Sequence, residues 1–193
     1  MLSRAPYDSC VLPAVRSFTI ICCIEWRPHR EKSAIDPAMA SANTTAFSQR
    51  LLQIAPRARK LAVSKCDSRG WPPHIVHDFR LLVSELLPAV DQFEYDVNDL
   101  DHRIIPTFDG VCNLVHINYT LDFGSNSFCQ LARQCARSLR SLSLRQVWCS
   151  SEPMDISRLI QYPGGGYVEY PSLQKLKLEM QNHPASAQRP TFA

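Results

Sequence analysis

A chain of 193 residues, 45% hydrophobic and 20% charged, carries enough apolar sequence for one ordinary domain or a short array of repeats sharing a core. A formal net charge of +3 is too small to point to nucleic-acid binding by bulk electrostatics, which needs a clustered basic face. The longest apolar run, residues 18–24, is too short to span a bilayer, and no small-x-small cleavage site follows it, so the reading is an intracellular chain with no membrane partner.

In chain order, the first element is an apolar-x-x-apolar-x-apolar pattern at Val15, Phe18 and Ile20. It recurs at Ala58-Leu61-Val63, Val90-Phe93-Tyr95, Cys112-Val115-Ile117, Leu139-Leu142-Leu144 and Leu173-Leu176-Leu178. The alternation within each instance predicts a strand with one buried face. The first positions, 15, 58, 90, 112, 139 and 173, lie 43, 32, 22, 27 and 34 residues apart. That is enough chain for a helix and two loops, so each strand can return parallel to the last. Pro13, Pro56, Pro88 and Pro171 stand two residues before the first apolar position, where proline stops a helix and sends the chain out extended. Gly110 and Arg137 occupy that place in the other two units.

The return segments read as amphipathic helices. They comprise Phe47, Leu51, Leu52, Ile54 and Ala55, then Val76, Phe79, Val83, Leu86 and Leu87, then Phe128, Leu131, Ala132 and Cys135. Ser48, Asp78 and Ser127 lie near their expected starts, and Asp155 would cap a short helix ending near Ile160. Residues 100–108 allow only a turn or two before Pro106. Residues 27–45 read as an exposed insertion without core, 161–169 with Gly164-Gly165-Gly166 as a flexible loop, and 181–193 as a frayed tail. The expectation is a single α/β domain over 10–180, a solenoid of about six strand-helix units with a parallel sheet on its concave face.

Little in the chain points to a reaction centre. The eight cysteines contain no C-x-x-C, and several fall at repeat positions where a thiol packs as a small apolar group. His74 and His77 are three apart without an identifiable third ligand, and Asp96, Asp99, Asp101 and His102 do not match a calcium loop. No G-x-S-x-G elbow singles out a serine, and the glycine run is not followed by Lys-Ser or Lys-Thr. The expectation is a non-enzyme with no metal and no cofactor. The sequons at Asn43 and Asn118 would matter only in the secretory lumen.

The functional candidates are the residues between core positions, which alternation sends to the opposite face of the sheet. They are Ser17 and Thr19, Lys60 and Ala62, Gln92 and Glu94, Leu114 and His116, Ser141 and Ser143, and Lys175 and Lys177, with Ser64, Asp96 and Arg145 further out. From these, the expected binding residues are Lys60, Gln92, Glu94, Asp96, His116, Ser141, Ser143, Arg145, Lys175 and Lys177. An acidic third unit between basic flanks suits a protein segment of mixed charge. Val15, Phe18 and Ile20 lie on a first strand without a polar cap, an adhesive edge that predicts self-association unless residues 1–11 fold over it.

The pattern resembles leucine-rich-repeat proteins, whose strand motif is L-x-x-L-x-L-x-x-N/C-x-L. Cys23, Cys66 and Asn98 match its Asn/Cys position, and Leu100 the final apolar one. The phrases Arg137-Ser138-Leu139-Arg140-Ser141-Leu142 and Tyr170-Pro171-Ser172-Leu173 are similar to the divergent repeats of fungal F-box proteins, although no F-box segment precedes the first strand. The resemblance implies a non-catalytic protein-protein interaction module, with substrate recognition in a ubiquitin-ligase context. A free-standing scaffold or a truncated fragment is the alternative, and a hydrolase or metal-dependent enzyme is a remote one.

Overall fold

The computed structural model describes residues 12, 14–21, 37–64, 71–96, 106–121, 126–146 and 157–180. Strands β1 (Ser17–Ile21), β2 (Lys60–Ser64), β3 (Gln92–Asp96), β4 (His116–Leu121), β5 (Ser141–Gln146) and β6 (Lys175–Met180) form one sheet. All neighbouring pairs are parallel, and the spatial order is the chain order. Parallel neighbours oblige the chain to cross back after every strand. Helices α1 (Pro37–Ile54), α2 (Pro73–Leu86), α3 (Asn126–Gln134) and α4 (Ser157–Ile160) lie in four of the five crossings.

The strands pair without stagger, so equivalent residues form rows across the sheet. One core row runs Phe18, Leu61, Phe93, Ile117, Leu142, Leu176, and the next Ile20, Val63, Tyr95, Tyr119, Leu144, Leu178. From β2 to β5 both rows are buried beneath Val76, Phe79, Val83 and Leu86 of α2, Phe128, Leu131 and Ala132 of α3, and Leu159 of α4. Tyr95 stacks on Tyr119 at 5.0 Å, and Tyr119 on Phe128 at 3.9 Å, so aromatic contacts join successive strands to a crossing helix. Each such side chain contributes on the order of 1.5–3 kcal/mol by leaving water.

A hydrogen-bond pattern repeats with the strands. The carbonyls of Arg16, Arg59, Asp91, Val115 and Arg140 each accept two amides from the next unit, at 2.7 to 3.2 Å. The fourth unit is thereby fixed: Val115 and His116 bond to Asp91, as Asp91 and Gln92 bond to Arg59. Its pattern is therefore Leu114-Ile117-Tyr119, two residues beyond the expected Cys112-Val115-Ile117. Leu114 is fully buried while Cys112 is exposed. A shift of two preserves strand parity, so the expected apolar set looks self-consistent although its register is wrong.

The prolines act as turn residues as well as helix stops. Ala58 donates to Ala55, Val90 to Leu87 and Leu173 to Tyr170, closing four-residue turns with Pro56, Pro88 and Pro171 second, where a fixed φ suits the turn. Pro13 lies outside the described residues. In the last three units the side chain just before the first core position, Asn113, Ser138 or Ser172, then stitches that unit to the preceding one. Asn113 Nδ2 donates to the Pro88 and Val90 carbonyls at 3.1 Å, and Ser138 Oγ contacts the Leu114 carbonyl at 2.8 Å.

Two segments differ from expectation. Helix α1 begins at Pro37, inside the region expected to be an insertion, so Ser48 is mid-helix rather than at a start. Ser48 is fully buried against the Glu85 carboxylate, whose other oxygen accepts from Thr45 Oγ1 at 2.7 Å, which ties α1 to α2. Asp78 likewise lies within α2, which starts at Pro73, while Ser127 lies in the first turn of α3 as expected. The glycine segment is a closed hairpin. Gln161 bridges Tyr167 antiparallel, Tyr162 donates to Gly166 at 3.1 Å, and Gly165 and Gly166 take φ of 90° and 89°, which side-chain-bearing residues rarely adopt. The expected roles of Cys23, Cys66, Asn98, Leu100, Asp155 and the 181–193 tail lie outside the described residues.

Burial also makes stability depend on alkaline pH. Cys135 is fully buried, with its Sγ directed at the Val111 carbonyl at 3.6 Å, and burial pushes its thiol from 9.0 up to about 11. Burial pushes Tyr170 up to about 12 and raises Tyr119 as well. The unfolded chain releases these protons near the ordinary values while the folded chain still holds them, so stability falls as pH rises from about 9 through about 11. Thermal unfolding is expected to show a lower midpoint at about pH 10.5 than at about pH 7.5, with a smaller difference in Cys135→Ala. An equal drop in both would remove the thiol from the explanation.

Candidate functional site

The face of the sheet opposite the helices carries the alternate residues. Their rows run Lys60, Gln92, His116, Ser141, Lys175 and Ala62, Glu94, Asn118, Ser143, Lys177 from β2 to β6. Because parallel strands lie about 4.8 Å apart, residues from five strands that are remote in sequence become neighbours. All of them except Ala62 line a groove of about 360 Å³, with Phe93 and Ile117 also contributing to its wall.

Of the ten residues expected from the sequence, eight line this groove: Lys60, Gln92, Glu94, His116, Ser141, Ser143, Lys175 and Lys177. Asp96 and Arg145 fall outside its lining, one position further along their strands. Arg145 Nε donates to Glu179 Oε2 at 2.9 Å, and Lys177 Nζ lies 2.5 Å from Glu179 Oε1. Lys177 and then Arg145 hold the Glu179 carboxyl below the usual carboxylate range.

Asn118 is the residue that sequence reasoning missed. The two-residue register error put Leu114 on this face in its place, whereas Leu114 belongs to the core. The available signal was the likeness of Leu114-Ile117-Tyr119 to Val90-Phe93-Tyr95, both of which end on aromatics. Asn118 Nδ2 donates to Glu94 Oε1 at 3.5 Å, while the other Glu94 oxygen pairs with Lys60. Glu94 thus has its charge offset by Lys60 and its other oxygen hydrogen-bonded by Asn118. Ser17 and Thr19 share the outward rows on β1 but do not line the groove.

The remaining candidates do not converge. His74 and His77 both lie in α2, and among the described residues no group of three His, Cys, Asp or Glu side chains is placed to hold a metal ion. Among the described residues, no helix is long and apolar enough to cross a membrane.

No known family model, curated protein or solved structure matches the chain.

Proposed function

We propose that the chain is a leucine-rich-repeat-like solenoid acting inside the cell as a non-catalytic protein-interaction module, with the groove on the free sheet face as its binding surface. The observation supporting this most is that nine polar residues from five separate strands line one groove while their alternating neighbours are largely core. A groove open along a row of strands suits an extended protein segment, which can lay several side chains across it. Substrate recognition in a ubiquitin-ligase context follows from the resemblance to F-box repeat proteins. The same reading includes self-association through the outer strands of the sheet.

Charge reversal tests the surface. Glu94→Lys and Lys175→Glu are each expected to weaken retention of partners on the immobilised chain by about tenfold or more, since misplaced charge at an interface costs several kcal/mol. Arg57→Glu, on the exposed turn before β2, is the control and should leave retention unchanged. An identical retained set for all three variants would remove the groove from the function.

A further inference from the structure

The two ends of the groove differ in hydrogen-bonding character. At the β2–β3 end, Lys60 and Glu94 satisfy each other. On β4, β5 and β6 the first row is His116, Ser141 and Lys175, and the second is Asn118, Ser143 and Lys177. Imidazole, hydroxyl, ammonium and amide groups can all donate, and none of these six side chains carries a negative charge. Among the described residues, the Ser141 and Ser143 hydroxyls and the Lys175 ammonium have no hydrogen-bond or ion-pair partner within the chain. Lys177 shares one of its three donors with Glu179, which is outside the groove lining. With Glu94 occupied by Lys60 and Asn118, no uncompensated carboxylate lines the groove.

We propose that the β4–β6 end of the groove is an anion-binding subsite that takes the acidic stretch of a protein segment, with carboxylates or phosphate esters seated between the Ser141–Lys175 and Ser143–Lys177 pairs. The proposal rests on the reading of this face as a protein-binding surface. Two strand spacings of about 4.8 Å separate β4 from β6, which an extended peptide crosses in about three residues. The ligand therefore carries a short acidic cluster rather than a single charge. The hydroxyls supply directed hydrogen bonds while the ammonium groups supply charge, and charge-assisted bonds of this kind are about twice as strong as neutral ones. Free carboxylates and phosphate esters share this chemistry, so the two are separated by experiment.

The test uses the full chain and four short Gly-Ser peptides, carrying three consecutive glutamates, three phosphoserines, three lysines, or none of these. Affinities are measured by fluorescence anisotropy, and backbone amide shifts report where each peptide sits. The glutamate or phosphoserine peptide, or both, should bind, shifting β5 and β6 amides and weakening as salt rises. Lys175→Gln with Lys177→Gln should reduce that affinity by about tenfold, Ser141→Ala with Ser143→Ala by a smaller factor, and Lys175→Arg should retain most of it. The stronger of the two acidic peptides identifies the source of the anion. Preference for the lysine or neutral peptide at the same amides would overturn the anion subsite while leaving the surface reading standing. Acidic-peptide binding that is indifferent to Lys175→Gln with Lys177→Gln would overturn it as unspecific attraction. Failure of every peptide to shift a sheet-face amide would overturn it together with the surface reading.

Discussion

Phe93→Ala is expected to cost about 3–5 kcal/mol of folding stability, and Leu176→Ala, two core positions in the same row, less than about 1.5 kcal/mol. Phe93 is 1% exposed, set between Leu61 and Ile117 of the flanking strands with Phe108 edge-on at 6.2 Å and Tyr95 at 5.8 Å, so its removal leaves a cavity that these packed neighbours do not fill. Leu176 is 54% exposed, and water replaces much of what it loses. Urea denaturation of both variants measures the difference. Equal costs would mean that Leu176 is covered in solution, and a small cost at Phe93 would mean that the interior rows are not packed as described.

The chain is also expected to associate progressively as its concentration rises, and Leu176→Lys combined with Leu178→Glu to return it to the monomer. Leu178 is 37% exposed, so the last strand shows water the apolar rows that its neighbour β5 buries. At the opposite end, Phe18 and Ile20 are only partly buried against the core. A second copy continuing the sheet without stagger would set Phe18 beside Leu176 and Ile20 beside Leu178. Ser17 and Thr19 would then meet Lys175 and Lys177 without like-charge conflict. Two β6 strands meeting antiparallel would instead bring lysines of both copies together, which is unfavourable. A single head-to-tail contact leaves one free edge on each of the two copies, so sedimentation should show species beyond the dimer rather than a stop there. A wild-type chain that stays monomeric throughout, or a double variant that sediments as the wild type does, would count against this contact.

Much of this arrangement is written in the alternation of apolar residues, because each strand pays its hydrophobic side chains into one face; five of the six strand patterns sit where the sequence places them. The fourth is ambiguous because Cys112, Val115 and Ile117 satisfy the same apolar template as Leu114, Ile117 and Tyr119, and within the sequence only the likeness of the latter set to Val90-Phe93-Tyr95 favours it. The stitching bonds of Asn113 and Ser138 to the preceding unit do distinguish them, and they are nonlocal. The first turns of α1 were hidden for a different reason. Ala, Ser, Asn and Thr carry no apolar period there, and the helix is held partly by Ser48 and Thr45 on Glu85 of α2. The glycine hairpin was missed because its order comes from backbone bonds and two positive φ angles rather than from side-chain pattern. Groove residues were legible because parity alone assigns a face, and Asn118 escaped only with the register. Whether a core row is covered depends on its neighbours, so the exposure of Leu176 and Leu178 could not be read from residues identical in kind to Leu142 and Leu144.

The central claim is that partners meet the free sheet face rather than the helices. Site-specific photocrosslinking in the chain's own cells tests it most directly, with a benzophenone amino acid placed at Ser143 in the groove or at Gln130, exposed on α3. The account predicts a discrete crosslinked protein from position 143 that disappears in Lys175→Glu, and none from position 130. Adducts from position 130 with none from position 143 would contradict it.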